Sequence, residues 1–387
     1  MTPGPDPLAE PDAILAFAHI GDLHLTDAKA RNFADLLLIV AQIEVECAPS
    51  LDFVVLPGDN ADNGLPAQYA LAATALKMLS VPVHAIPGDH DMEQGSLAAF
   101  HDTMRADPLP KALTVRGVRC LFLDISGPGS GGPDFRLGQD QLGWIESELN
   151  QAAQRGETTA IFTHTYPDDL KGDNETEALV ALIATHDVAL VDMGHTHYNE
   201  LANDGRTIFA ATRSTGQIEE GPVGYSIATL DAGVVGWRFK PLEDAFPFVV
   251  ITTPADHRLL RGDDQHLGPT VEVRAFVFGR TPVASVACQG GQEGAWVTMT
   301  RRPDHRVWSG TLTLSAEDLA ERRVPITVRA TDASGRPGQH TILAATPAHV
   351  RPERIRNGSD AASIGAWPDN GIPGTQLGPN RNGKPSS

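Results

Sequence analysis

Five times before residue 200, a short apolar run ends at a small residue and is followed at once by aspartate or histidine. The five endings are Gly21-Asp22-Leu23-His24, Gly58-Asp59-Asn60-Ala61-Asp62, Gly88-Asp89-His90-Asp91, Thr163-His164 and Gly194-His195-Thr196-His197. Each run has the length of a buried strand, and glycine at its end permits a tight turn. Helical spacing fills the intervals between runs, so the chain alternates strand and helix. That alternation builds βαβ units and a largely parallel sheet covered by helices, an α/β class. Ligands of open α/β sheets collect outside the carboxyl ends of the strands. Five Asp/His sets are therefore delivered to one edge. Any single set reads equally as a turn or a helix cap, but five in succession do not.

The predicted strands cover residues 14–20, 51–56, 81–86, 119–123, 158–162 and 188–191, and the helices cover 28–47, 66–79, 96–101, 139–153 and 175–184. After His197 the pattern changes to strands at 207–211, 224–230 and 234–239, expected to complete the sheet as antiparallel hairpins. In the last ending, His195 and His197 are two apart on extended backbone and point the same way. Imidazole is the commonest protein metal ligand near neutral pH. A surface loop with two histidines would look the same in isolation.

Charge narrows the partners. Residues 1–265 hold 16 Lys/Arg and 39 Asp/Glu, a balance of −23 within a total of −19. So acidic a part argues against a nucleic-acid groove, whose affinity comes mostly from Lys and Arg on phosphates. An anionic substrate there needs positive charge from elsewhere, and bound cations would bring it. No apolar run approaches a membrane span, and the first one leads straight into Asp22 without the shape of a secretory signal. Cys47, Cys120 and Cys288 are scattered in apolar surroundings and read as reduced core residues. The expected location is cytoplasmic, with a small molecule as substrate and no membrane partner.

In order, the blocks Asp-x-His, Gly-Asp-x-x-Asp, Gly-Asn-His-Asp/Glu, His and Gly-His-x-His are the signature of calcineurin-like metallophosphoesterases. This chain resembles that superfamily across residues 22–197. In motif it is most similar to class III cyclic-nucleotide phosphodiesterases and to purple acid phosphatase-like enzymes. The resemblance implies a layered metallophosphoesterase β-sandwich flanked by helices, and two metal ions, Mn, Fe or Zn, held by mixed carboxylate and imidazole ligands. It assigns Asp22, His24, Asp59 and His197 to one ion and Asp59, Asp89, His164 and His195 to the other, with Asp59 as the bridge. It further implies hydrolysis of a phosphate ester by a metal-bridging hydroxide. His90 would protonate the leaving oxygen, and Asp62 would orient His90 or a ligand. The first-choice activity is a phosphodiesterase, with a 3′,5′-cyclic nucleotide as one candidate. A phosphomonoesterase, a nuclease and a non-enzymatic scaffold retaining the fold are the alternatives. One departure stands out: the family carries Asn where this chain has Asp89.

Other residues read as follows. His84 and His101 are expected to be structural, and His19 a core group or a support behind the ligands. Asn60, Asn63 and Arg213 are in reach of a substrate by sequence position, and Arg213 reads equally as a surface residue. The loop at 127–133, rich in glycine, reads as a flap or a connector. The catalytic domain is expected over residues 1–245. Residues 246–346 follow as a small β-sandwich, immunoglobulin-like in size, with Trp296 and Trp308 in its core and the run at 246–252 as a linker strand. That domain could cover the site, hold a homo-oligomer or bind a partner. The tail at 347–387 has six prolines and six glycines in 41 residues, the composition of a disordered segment. Ile364, Trp367, Ile372 and Leu377 nevertheless give it apolar anchors that could wrap back onto the body.

Overall fold

In the computed structural model the described residues are 13–127, 134–218, 220–303, 305–350 and 362–373. The glycine-rich loop expected at 127–133 falls almost wholly outside them, as does Leu377. No helix among the described residues is long and apolar enough to cross a membrane.

The first strands and helices are β1 (Ile14–His19), α1 (Arg31–Gln42), β2 (Phe53–Leu56), α2 (Pro66–Leu76), β3 (Val83–Ala85) and α3 (Ala98–Met104). There follow β4 (Lys111–Val115), β5 (Val118–Phe122), α4 (Gly138–Arg155), β6 (Thr158–Phe162), α5 (Glu175–Thr185) and β7 (Val188–Met193). Then come β8 (Glu200–Asn203), β9 (Ile208–Ala211), β10 (Gly224–Asp231) and β11 (Val234–Pro241). These strands form two sheets, ordered β11-β10-β1-β2-β3 and β4-β5-β6-β7-β9-β8. Strand–helix alternation by itself suggested one sheet; the pair agrees with the layered arrangement that the resemblance implied. Alternation shows that strands are parallel and buried, but the point where one sheet stops and a second begins is a matter of long-range pairing. Here the break is the hairpin of β4 with β5, which pair antiparallel. Neither β4 nor β8 was expected, because both are short edge strands without an alternating apolar pattern.

Period-2 alternation decides which residues face which layer. Leu15 and Phe17 of β1 join Phe53, Phe122, Phe162 and Trp237 in a core between the two sheets. The opposite face of β1, through Ile14, Ala16 and Ala18, packs with Leu36, Ile39 and Val40 of α1. Outside the second sheet, Ile145 and Leu149 of α4 and Ile183 of α5 cover Leu121, Ile161 and Val191. The layers run helix, sheet, sheet, helix. Beneath the carboxyl strand ends, His19 of β1 and Asp192 of β7 reach across the sheets, Nδ1 to Oδ1 2.7 Å, both fully buried. The two atoms are in polar contact without hydrogen-bond alignment.

The remaining strands are β12 (Phe248–Thr253), β13 (Thr270–Phe278), β14 (Val283–Gly290), β15 (Val297–Thr298), β16 (Trp308–Thr313), β17 (Arg323–Asp332) and β18 (Pro337–Ala345), with a short α6 (Ala316–Ala320). They form sheets β12-β13-β16 and β15-β14-β17-β18 over one core that includes Val273, Ile326 and Val328. The run expected as a linker is β12 itself, paired antiparallel with β13. Its alternation serves two cores at once. Phe248 and Val250 pack into the core of α1 and the first sheet, while Val249 and Ile251 belong to the C-terminal core. Trp296 is not a core residue: it is 39% exposed, with the Arg329 guanidinium 4.5 Å over its ring. Trp308 is half-buried at the edge of that core. Both tryptophans lie near β15, which is only two residues long and leaves little sheet to bury them against.

Because Phe248 ties the C-terminal strands to the first core, Phe248→Ala should cost about 3–5 kcal/mol. Urea unfolding followed by far-ultraviolet circular dichroism and by tryptophan fluorescence should show one coincident transition at lower urea.

Candidate metal centre

The polar strand ends converge at the carboxyl edge of the two central sheets. Donor atoms of Asp22, His24, Asp59 and His197 all lie within 4.8 Å of one another, and those of Asp59, Asp89, His164 and His195 do the same. Asp59 is common to both groups. Asp22, His24, Asp59 and Asp89 come from loops of the first sheet, and His164, His195 and His197 from loops of the second.

The backbone is bent to bring them in. His24, Asp59, His195 and His197 have φ of 41°, 50°, 64° and 62°, the left-handed region that non-glycine residues seldom occupy. Such conformations cluster where the surroundings over-determine them. Two glycines make room. At Gly58, φ 125°, an added Cβ would lie 2.2 Å from His164 Nδ1, and at Gly194 one would lie 2.2 Å from Asp22 Oδ1.

Hydrogen bonds hold the side chains in orientation. His164 Nδ1–H donates to the Pro57 carbonyl at 2.8 Å, which leaves Nε2 facing Asp89 Oδ1 at 3.2 Å and Asp59 Oδ2 at 3.4 Å. A backbone acceptor on one ring nitrogen fixes the tautomer that offers the other to a cation. The His195 N–H donates to Asp22 Oδ2 at 2.7 Å, linking the two groups. His24 Nε2 and His197 Nε2 lie 3.0 Å apart.

The electrostatics follow from burial and close charge. His24 and His197 are lowered to about 4, mainly by burial, so both rings are neutral near neutral pH. Burial pushes the Asp59 carboxyl up, but the His164 imidazolium beside it prevails and carries it down to about 2. Burial opposes protonation of His164, yet the charge and hydrogen bond of Asp59 hold it well above the usual histidine range. Burial also pushes Asp89 up, and hydrogen bonds from His164 and His195 hold it well below the usual carboxylate range.

The donor set fits two cations. Asp22 Oδ1 is buried with no hydrogen-bond partner, and two neutral imidazole nitrogens face each other at short range. An ion between such groups would meet the Asp22 oxygen, which has no other partner, and both ring nitrogens at once. Mixed carboxylate and imidazole donors suit Mn, Fe or Zn better than Ca or Mg.

His90 and Asp62 adjoin the first group: with His24 they form a third set within the same 4.8 Å. It is the Asp62 backbone carbonyl, not its carboxylate, that meets His90 Nδ1, at 2.6 Å. The Asp62 carboxylate instead lies 3.8 Å from His24 Nδ1. Burial lowers the His90 ring, but the charge of Asp59, the Asp62 carbonyl and the charges of Asp89 and Glu93 raise it overall.

Asn60 does not face a substrate. It is fully buried, and its Nδ2 donates to the Ile86 carbonyl at 2.9 Å and to Asp91 Oδ2 at 3.0 Å. Asn63 lends its backbone to local structure, its N–H donating to Gln68 Oε1 at 3.2 Å. Arg213 is neither a phosphate ligand nor a surface residue. It is 1% exposed and its guanidinium donates to the carbonyls of Glu220, Pro222 and Gly371. His19 is the core group described above, in contact with Asp192. His84 packs between Phe53 and Phe122, with ring centroids 5.1 and 4.7 Å away, a structural place.

Three residues at the site escaped sequence reasoning. Asp91 is fully buried and accepts from the backbone N–H of Gly88, Asn60 and Ala61, so it staples the second donor loop to the third. Burial and the Asp59 charge push its carboxyl up to about 6 against those hydrogen bonds. Its place in Gly88-Asp89-His90-Asp91 was the available signal. Gln217 Nε2 lies 3.2 Å from His24 Nδ1, and the Phe135 ring stands 4.9 Å from that of His195. Neither position carried any signal.

A family model, calcineurin-like phosphoesterase, matches residues 15–199. A cAMP/cGMP dual specificity phosphodiesterase of Mycobacterium tuberculosis is 28% identical over 205 residues, 49% of this chain and 63% of that protein. A glycerophosphodiester phosphodiesterase of Enterobacter lignolyticus is 27% identical over 206 residues, 47% of this chain and 71% of that protein. Among solved structures, a dimetal phosphatase from Danio rerio aligns with 60% of this chain and 98% of its own at 16% identity, with a TM-score of 0.46. Residues 15–199, which bring the two converging donor groups together on a mixed α/β scaffold of several sheets, match the calcineurin-like phosphoesterase family.

Proposed function

We propose that this protein is a phosphodiesterase whose centre holds two divalent ions, with a 3′,5′-cyclic nucleotide as the first substrate to test. The observation that carries the reading is the pair of donor groups sharing Asp59. In it Asp22, His24 and His197 complete the first ion site, and Asp89, His164 and His195 the second. Bound ions would supply Lewis acidity and an activated water.

Charge favours a diester over a monoester. Three carboxylates, Asp22, Asp59 and Asp89, oppose the charge of two divalent ions and leave one net positive charge, where Asn in place of Asp89 would leave two. Among the described residues no Lys or Arg forms a hydrogen bond or ion pair with any of these seven donors, and Arg213 is turned away. A singly charged diester matches that field better than a doubly charged monoester. Both relatives described above are named for diester substrates. His90, 29% exposed beside the first group, is placed to give a proton to the leaving oxygen, and the Asp62 carbonyl fixes its ring. The Phe135 ring forms an apolar wall beside the second group.

Seven strands in two sheets over one core support an immunoglobulin-like reading of the C-terminal part. The three cysteines are buried and unpaired, in keeping with a reducing, cytoplasmic setting.

With Mn added, the protein should hydrolyse bis-p-nitrophenyl phosphate faster than p-nitrophenyl phosphate, and Asp59→Asn should abolish both. Faster monoester turnover would favour the phosphomonoesterase. His90→Ala should lower kcat by about a hundredfold or more while leaving Mn content unchanged. Asp89→Asn should weaken the second ion and raise the monoester-to-diester rate ratio, read by metal analysis and paired substrates. Because His164 carries its proton at neutral pH without metal, ion uptake should release about one proton. Calorimetry in two buffers of different ionisation enthalpy would measure it.

A further inference from the structure

Residues 362–373 lie beyond the stretch matched by the family, yet they return to the first two sheets. Ser363 bridges to Ala202 at the outer edge of the second sheet, and the Ile364 N–H donates to the Leu201 carbonyl at 3.0 Å. Trp367 and Ile372 enter the core between the sheets and pair with each other across the turn Pro368–Asn370. The Trp367 N–H donates to the Ile372 carbonyl at 2.8 Å, and Arg258 stacks 4.5 Å over the indole. Asn370 Nδ2 donates to the Trp237 carbonyl at 2.8 Å. The strap is thus anchored along its length, at an edge, in a core and by its turn.

Its turn presents one carbonyl, that of Gly371, to two buried side chains. Arg213 Nη2 donates to it at 2.6 Å and Asn199 Nδ2 at 2.8 Å. Asn199 Oδ1 accepts from the Arg213 backbone N–H at 2.9 Å, closing a small network. The next two residues reach the proposed ion site. Ser214 N–H donates to the His197 carbonyl at 3.3 Å, Ser214 Oγ to the Asp22 carbonyl at 2.8 Å, and Thr215 N–H to that same Asp22 carbonyl at 3.0 Å. Asp22 and His197 both belong to the first donor group.

We propose that Arg213 is a positioning residue for the first ion site, and that the Gly371 carbonyl makes residues 362–373 part of that site. A guanidinium 1% exposed cannot lose a carbonyl acceptor cheaply, because the freed N–H groups stay out of water. Release of the strap therefore displaces Arg213, and Arg213 is joined directly to the residue that clasps Asp22 and His197. The coupling is reciprocal: if the docked strap favours the ion, the ion favours the docked strap.

The inference rests on the metal reading of the site, and its test separates the two. Hydrogen exchange on the full-length protein, with and without saturating Mn, reads the strap directly. Amides of Ile364, Trp367 and Ile372 should exchange about tenfold more slowly with Mn bound. Unchanged exchange in protein that demonstrably binds two Mn ions overturns this inference alone. A wild-type chain that binds no Mn overturns the metal reading and this inference with it. In the full-length Arg213→Lys variant, calorimetry should find the first ion weakened by about tenfold or more and the second retained. Equal loss of both ions would mark a general structural defect, and unweakened binding of both would remove any role for Arg213. Should that variant fail to fold, exchange in the wild type still decides.

Discussion

Asp59 belongs to both donor groups, and one carboxylate within reach of two sets is what makes them a single centre. Its backbone is left-handed, as are those of His24, His195 and His197. Conformations of this kind cost on the order of 1–3 kcal/mol each, so the fold must hold them from several directions. Asp91 does so for the loops around Asp59 and Asp89, accepting three backbone N–H groups with a carboxylate that never meets solvent. Asp22 does so for the last loop through the His195 N–H. Asp91 thus spends its carboxylate on backbone and side-chain donors of the loops, whereas Asp22 gives one oxygen to backbone and keeps the other without a hydrogen-bond partner.

The divided origin of the donors ties the centre to the sandwich. Aspartates come mainly from the first sheet and histidines mainly from the second, so neither sheet alone carries a complete group. The core of Phe17, Phe53, Phe122 and Phe162 sets the spacing between the sheets. Stacked and edge-on contacts among these rings, at 4.6 to 6.0 Å, resist sliding of one sheet over the other. His19 and Asp192 add a buried polar contact directly under the loops. Separating the two would leave both polar groups buried without a partner, which penalises any other register.

Much of the site was legible because its chemistry is local. Gly-Asp and His-x-His at strand ends are short patterns, and period-2 apolar runs fix where those ends fall. The departures share one cause. Arg213, Asn60 and Trp296 were placed by type and position, but their environments come from residues distant in the chain: Gly371 for Arg213, Asp91 and Ile86 for Asn60, and Arg329 for Trp296. A buried arginine that holds carbonyls and an exposed one that holds phosphate look alike in sequence. The place where the first sheet ends and the second begins, and the recruitment of the linker run into β12, have the same origin, since strand pairing is non-local.

Side-chain type and apolar period are properties of neighbouring residues, so the α/β class, most of the elements and the identity of the clustered aspartates and histidines were readable from the chain. That Asp62 meets His90 through its carbonyl and that Arg213 faces Gly371 were settled only by the folded arrangement. Each of these depends on the direction of a group in space, which is set only when separate loops are brought together by the closing of two sheets on a common core.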